Sequence, residues 1–206
     1  MIFNFKQFIN ESFQDDLTDS SNFRSWFGNS IIIDELGKPK IVYHGSPSKD
    51  INIFDISAKP INRTNNYAGF YFSPKKSVAE EHSDSGKVYP CYLSIQNPIY
   101  LGHKYDPIKN TYTRIKYIPS QKAIDYIYNK YKSQFNEDYL RSKLFDLKDR
   151  GVCSFMTGDD RREIAIMDGY DGMLDGTDIC AFFPNQIKLA DGTNITFDKN
   201  NPDIRK

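Results

Sequence analysis

A histidine, a tyrosine and an aspartate, each at the end or centre of a short apolar run, are the residues best placed to do chemistry. His44 follows Ile41-Val42-Tyr43 and precedes Gly45-Ser46. An imidazole at the tip of a β-branched and aromatic strand is well placed to face a ligand. Gly45 leaves the backbone approachable, because no Cβ stands in the way. Tyr71 sits in Gly69-Phe70-Tyr71-Phe72-Ser73, where alternation puts it on the face opposite Phe70 and Phe72. Asp178 opens the apolar run Ile179-Cys180-Ala181-Phe182-Phe183, with Asp175 just before it as a fallback carboxylate. Imidazole and phenol can orient a ligand, and a carboxylate can stabilise developing positive charge. Each has a plainer reading: a satisfied strand-end histidine, a core aromatic, and a turn aspartate after Asp175-Gly176-Thr177. Other chemistries lack their residues. There is no P-loop, no Gly-x-Gly-x-x-Gly, no Gly-x-Ser-x-Gly and no His-Glu-x-x-His. His44, His82 and His103 are scattered, which argues against a metal site.

Taken together, the blocks resemble the ADP-ribosyltransferase superfamily, in the branch built on a His-Tyr-Glu triad, and most of all the transferase domains of phage and mobile-element polyvalent proteins. The matching residues run from Phe23-Arg24-Ser25-Trp26-Phe27-Gly28-Asn29-Ser30, through Val42-Tyr43-His44-Gly45-Ser46 and Gly69-Phe70-Tyr71-Phe72-Ser73, to Gly169-Tyr170-Asp171-Gly172 and Phe183-Pro184-Asn185-Gln186-Ile187-Lys188. The resemblance implies an α+β fold, a split β-sandwich of two mostly antiparallel sheets with surrounding helices, and NAD+ in the cleft between the sheets. It implies cleavage of the nicotinamide–ribose bond of NAD+ through an oxocarbenium-like transition state, as in glycoside hydrolysis. A nearby carboxylate favours that transition state over the ground state. The function implied is mono-ADP-ribosyl transfer from NAD+ to a host macromolecule. The alternatives are an NAD+ glycohydrolase and an inactive transferase-like binding protein packaged in the virion.

By the same resemblance His44 holds a ribose hydroxyl, the Gly45 backbone pairs with the nicotinamide amide, and Ser46 takes the family's Ser/Thr position. Tyr71 packs on the nicotinamide ring, Asp178 is the third catalytic position, and Ser73 joins the NAD+-binding set. Arg63 could meet the pyrophosphate, a solvated arginine being the plainer reading. Two departures stand out. The family usually has glutamate where this chain has Asp178, one methylene shorter, and a misplacement of about 1 Å can cost on the order of a hundredfold in rate. A second stacking aromatic often follows the Tyr71 strand, and here the nearest candidate is His82.

The elements that must position these residues follow from pattern. Ser21 caps a short helix through Trp26-Phe27 that ends at Gly28. Ile31-Ile32-Ile33 and Ile41-Val42-Tyr43 form a hairpin around Asp34–Pro39, its second strand ending at His44. Pro47 to Ala68 is a long loop carrying Phe54 inward. Ser73 caps a helix over Lys75–His82 with Pro74 at its first position. Val88 to Ile95 is a strand; Gly102 to Ile118 fits no pattern. A helical insertion covers about 119–150, with Asn136 capping its second helix. Asp159 or Asp160 caps a helix to Met167. Met173-Leu174-Asp175, Asp178–Phe183, Ile187–Leu189 and Ile195-Thr196-Phe197 read as paired segments, and the segment from Asp198 as exposed. Gln186 reads as support for the sheet end, with ligand contact as the alternative.

The chain has 206 residues, 27 Lys+Arg and 27 Asp+Glu. Zero net charge gives no global case for nucleic acid or an acidic membrane, so a host protein acceptor is favoured over nucleic acid. No apolar run is long enough to span a bilayer. Three unpaired cysteines suit a reduced, cytosolic setting. Residues 1–21 read as leader and linker, and 22–206 as the transferase domain. Within the leader, Ile2, Phe5, Phe8 and Ile9 share a helical face. Phe5-Lys6-Gln7-Phe8-Ile9-Asn10-Glu11 resembles the capsid-targeting peptides of T-even-like phages, cut after the glutamate. That implies a phage-encoded protein carried in the head and injected into the host cytoplasm.

Overall fold

The computed structural model describes residues 17–58, 68–106, 111–151 and 153–206. The leader, its expected cut after Glu11, and Arg63 lie outside the described residues. The fold is α+β with two mostly antiparallel sheets. The chain divides into two compact units. The first holds the described residues of Met1–Asp55 with Phe70–Gln96 and Phe183–Lys206; the second holds those of Ile56–Gly69 and Asn97–Phe182.

In the first unit, β1 (Val42–Ser46), β3 (Lys87–Leu93) and β8 (Ile187–Leu189) form an antiparallel sheet in the order β1-β3-β8. Val42 pairs with Cys91 and Ser46 with Lys87, while Leu93 pairs with Ile187. β1 therefore runs past His44, its expected end, because Gly45 and Ser46 still have ladder partners on β3. β2 (Phe70–Phe72) is tied to β1 through an antiparallel bridge, with Tyr43 N–H donating to Ser73 O at 2.8 Å and Ser73 N–H to Tyr43 O at 2.9 Å. The helix α1 (Ser21–Phe27) is capped by Ser20, one residue earlier than expected, whose hydroxyl accepts from Phe23 N–H. Its Phe23, Trp26 and Phe27 pack with Tyr92, Ala190 and Phe197 in one buried cluster.

Three expected elements take other forms here. Ile31–Ile33 forms no strand, but the expected turn is there: Ile33 bridges Pro39, Lys40 N–H donates to Ile32 O at 3.0 Å, and Asp34 Oδ1 accepts from Leu36 and Lys38 N–H. The helix α2 (Lys76–Glu81) starts after Lys75 with no side-chain cap. Ser73 is already committed to β1, and its hydroxyl accepts from Lys75 N–H at 3.1 Å. Ile195–Phe197 forms no strand; Asn194 Oδ1 takes up the Thr196 and Phe197 N–H groups locally. The segment after Asp198 is not exposed throughout: Ile204 is fully buried and its carbonyl accepts from Leu189 N–H at 2.7 Å.

In the second unit, β4 (Pro98–Asp106), β5 (Thr111–Ile115), β6 (Gly172–Asp175) and β7 (Asp178–Ala181) run in the order β7-β6-β4-β5. The β4–β6 pair is parallel and the others are antiparallel. The helices α3 (Gln121–Tyr131) and α4 (Glu137–Arg150) fill the span expected to be helical, capped by Ser120 and by Asn136. The last helix, α5 (Gly158–Met167), is capped not by an aspartate but by Thr157, in a capping box with Asp160. Asp160 is fully buried and binds Tyr131 O–H at 2.7 Å and Lys130 Nζ at 2.7 Å, which locks α5 to α3. Asp168, at the C-terminus of α5, accepts from Ser120 N–H at 2.8 Å and fixes the start of α3. Among the described residues, no helix is long and apolar enough to cross a membrane.

Candidate active site

His44 reaches its position because β1 is the edge of its sheet and β2 lies beside it. Its Nδ1 is 2.7 Å from the Tyr71 carbonyl oxygen. A carbonyl only accepts, so Nδ1 carries the proton, and in the neutral ring Nε2 is the acceptor nitrogen. The imidazole is held edge-to-face against Phe54 (4.9 Å, 82°) and tilted against Phe72 (5.4 Å). It is half-buried. A hydrogen-bonded ring with two aromatic walls keeps one rotamer and one tautomer, which is what a residue that must present an acceptor to a hydroxyl needs.

Tyr71 shares this place. Phe70 and Phe72 are buried and Tyr71 is half-buried between them, as alternation requires. Phe54, expected to point inward, is buried and touches Phe70, Phe72 and Tyr89 as well as His44. The neighbouring small residues have structural explanations. A Cβ on Gly45 would stand 1.8 Å from the Ala79 carbonyl oxygen, so the missing side chain admits the C-terminal turn of α2. Ser46 Oγ accepts from Ser48 N–H at 3.1 Å and turns the chain out of β1. His82, the expected stacking candidate, is exposed at the end of α2.

Asp178 belongs to the second unit. It opens β7, is exposed, and is the register partner of Asp175 across the two-residue turn Gly176-Thr177. Gly176 takes φ +59, the left-handed conformation that such a tight turn demands. The strand is then buried from Ile179 to Phe182. Its exit is held by Arg162, whose Nε and Nη2 both donate to the Phe182 carbonyl, at 3.0 and 2.6 Å. Burial depresses the pKa of that guanidinium below its ordinary value. Gln186 is buried as expected: its Nε2 donates to Ser94 O and its Oε1 accepts from Phe183 N–H.

The structure thus brings His44, Gly45, Ser46, Tyr71 and Ser73 together in the first unit and sets Asp178 and Asp175 together in the second. Sequence reasoning passed over Tyr89, whose hydroxyl donates to Ser48 O and accepts from Ile51 N–H beneath Phe54. Its signal was a tyrosine in an apolar strand, a polar tip that must find a partner when buried. A separate cavity of about 690 Å³ is lined by Phe23, Arg24, Phe27, Ser30, Ile33 and Lys38 among others, and by none of the expected site residues.

The family model described as ADP-ribosyltransferase in polyvalent proteins matches residues 34–197. That span contains His44, Tyr71 and Asp178. No curated protein and no solved structure matches the chain.

Proposed function

The chain belongs to the family of ADP-ribosyltransferases in polyvalent proteins, and on that premise we propose that it transfers ADP-ribose from NAD+ to a host macromolecule and releases nicotinamide. The observation that supports this reading is the 2.7 Å hydrogen bond from His44 Nδ1 to the Tyr71 main-chain carbonyl, which fixes the imidazole and makes Nε2 the acceptor nitrogen of the neutral ring. Bound NAD+ would supply the scissile bond between nicotinamide and ribose. His44 would accept a hydrogen bond from a ribose hydroxyl through Nε2. Tyr71 would offer its ring face to the nicotinamide, with Gly45, Ser46 and Ser73 completing that side of the site. Asp178 would stabilise the positive charge that grows on the sugar as the bond breaks, an interaction stronger in the transition state than before it.

The leader motif supports a phage origin, carriage in the head and action in the host cytoplasm. A protein acceptor is favoured by the zero net charge.

Labelled NAD+ incubated with the protein and host lysate tests the reading. Transfer predicts label on a macromolecule, and Asp178→Ala lowers that label at least a hundredfold while circular dichroism and Tm stay close to the wild type. Free ADP-ribose with no labelled macromolecule would make the protein a glycohydrolase instead. Neither product would make it a binder. Unchanged transfer by Asp178→Ala removes the carboxylate from the mechanism.

A further inference from the structure

Something must hold Phe54, the wall that packs on the His44 ring, in place. Two sets of hydrogen bonds do so. On one side, Tyr89 O–H donates to Ser48 O (3.0 Å) and accepts from Ile51 N–H (2.9 Å). On the other, Ile204 N–H donates to Asn52 O at 2.8 Å, and Ile53 bridges Asp203. The segment Asn201–Ile204 is fastened in turn to β8. Leu189 N–H donates to Ile204 O (2.7 Å), Lys188 Nζ donates to Asn201 O (2.7 Å) and Asp203 O (2.9 Å), and Asn194 Nδ2 donates to Ile204 O (3.2 Å). Lys188 and Ile204 are both 0% exposed. A buried ammonium is costly unless its donors are met. Here two of them are spent on main-chain carbonyls of one segment, those of Asn201 and Asp203.

Resting on the reading of His44 as the residue that orients the ribose, we infer that Asn201–Ile204 is a strap that sets Phe54 against the imidazole, with Lys188 as its fastening and as a positioning residue of the transfer site. The path is continuous: Lys188 to Asp203, Ile204 to Asn52, Phe54 to His44. Loss of the fastening lets residues 51–54 shift, and with them the ring that keeps His44 in one rotamer. NAD+ binding then suffers more than turnover.

The test compares the full chain with Lys188→Met, which keeps the stem and removes the donors, and with Phe54→Leu, which removes the ring and keeps the strap. The His44 ring C–H signals, read by ¹H–¹³C NMR, lie in the ring current of Phe54. Both variants shift these signals in the same direction. Both raise KM for NAD+ by roughly tenfold, the effect of a misplacement below 1 Å, with a smaller change in kcat. Their combination is less than additive, since both act through one contact. If Lys188→Met lowers Tm but leaves the His44 signals at their wild-type positions, the strap is overturned. Should Lys188→Met fail to fold, Ile204→Val, one methylene smaller, gives the same reading. The NMR arm needs no turnover, so a chain inactive on NAD+ defeats the transfer reading without deciding the strap.

Discussion

Gly45 shows how one missing side chain serves packing next to a proposed site residue, His44. It lets the last turn of α2 come close enough that a methyl group would sit 1.8 Å from the Ala79 carbonyl oxygen. Gly45→Ala must push that turn away, and it should cost about 3 kcal/mol as an overpacked contact does. Chemical denaturation followed by fluorescence gives the number; a midpoint equal to the wild type would mean that the turn is free to move. At this scale much was legible in the sequence. The alternation of Phe70, Tyr71 and Phe72 and the inward Phe54 read correctly, because they follow from side-chain pattern alone. The caps were less legible. Thr157-x-x-Asp160 has the form of a capping box, but the reading gave the cap to the acid, which in the structure is the third residue of the helix. Ser73 has the type and place of a cap, yet the sheet uses its main chain first.

Among the elements, polar pairing decides what hydrophobic pattern does not. Gly102–Ile118 reads as featureless because lysines, aspartate and arginine interrupt its tyrosines and isoleucines. It contributes nonetheless to a hairpin, Gly102 opposite Ile115 through Asp106 opposite Thr111, since main-chain pairing leaves no mark in composition. The link between α3 and α5 is likewise invisible to periodicity. Burial alone would raise the pKa of Asp160, but Lys130, Thr157 and Tyr131 hold it below its ordinary value. The stabilisation from a depressed carboxylate is present above the unfolded pKa near 4 and is lost as pH falls through the folded one. Asp160→Asn should cost about 2 kcal/mol at pH 7, with the difference from the wild type shrinking below pH 4; urea titrations at the two pH values read both effects. Lys188 has the opposite sign. Desolvation pushes its pKa from 10.5 down to about 8. Below pH 8 it is charged in both states and the folded state bears the whole penalty. Between pH 8 and 10.5 the folded state has released a proton that the unfolded chain still holds, so stability rises with pH. The wild-type minus Lys188→Met difference in unfolding free energy should climb across that window, and a flat difference would show that the amine is not desolvated.

For the molecule as a whole, the two units are not consecutive in sequence. The first draws on three stretches of the sequence and the second on two. Length and composition read as one domain with additions or at most two small ones, and no linker composition marks where the chain passes between the units. The C-terminal segment read as exposed because Asp198-Lys199-Asn200-Asn201 is polar; its burial rests on carbonyls and on one isoleucine, Ile204, which a hydropathy reading does not weigh. The proposed carriage in a phage head belongs at this scale too. Mass spectrometry of purified virions should find a chain beginning at Ser12, and a chain retaining Met1 in mature heads would end that proposal.

The sheet order β1-β3-β8 bears on when the protein can act. Strand β8 and the segment that fastens Phe54 are translated after every residue proposed to touch NAD+. On the ribosome, the wall behind the imidazole therefore stays unfinished until residues 187–204 have emerged.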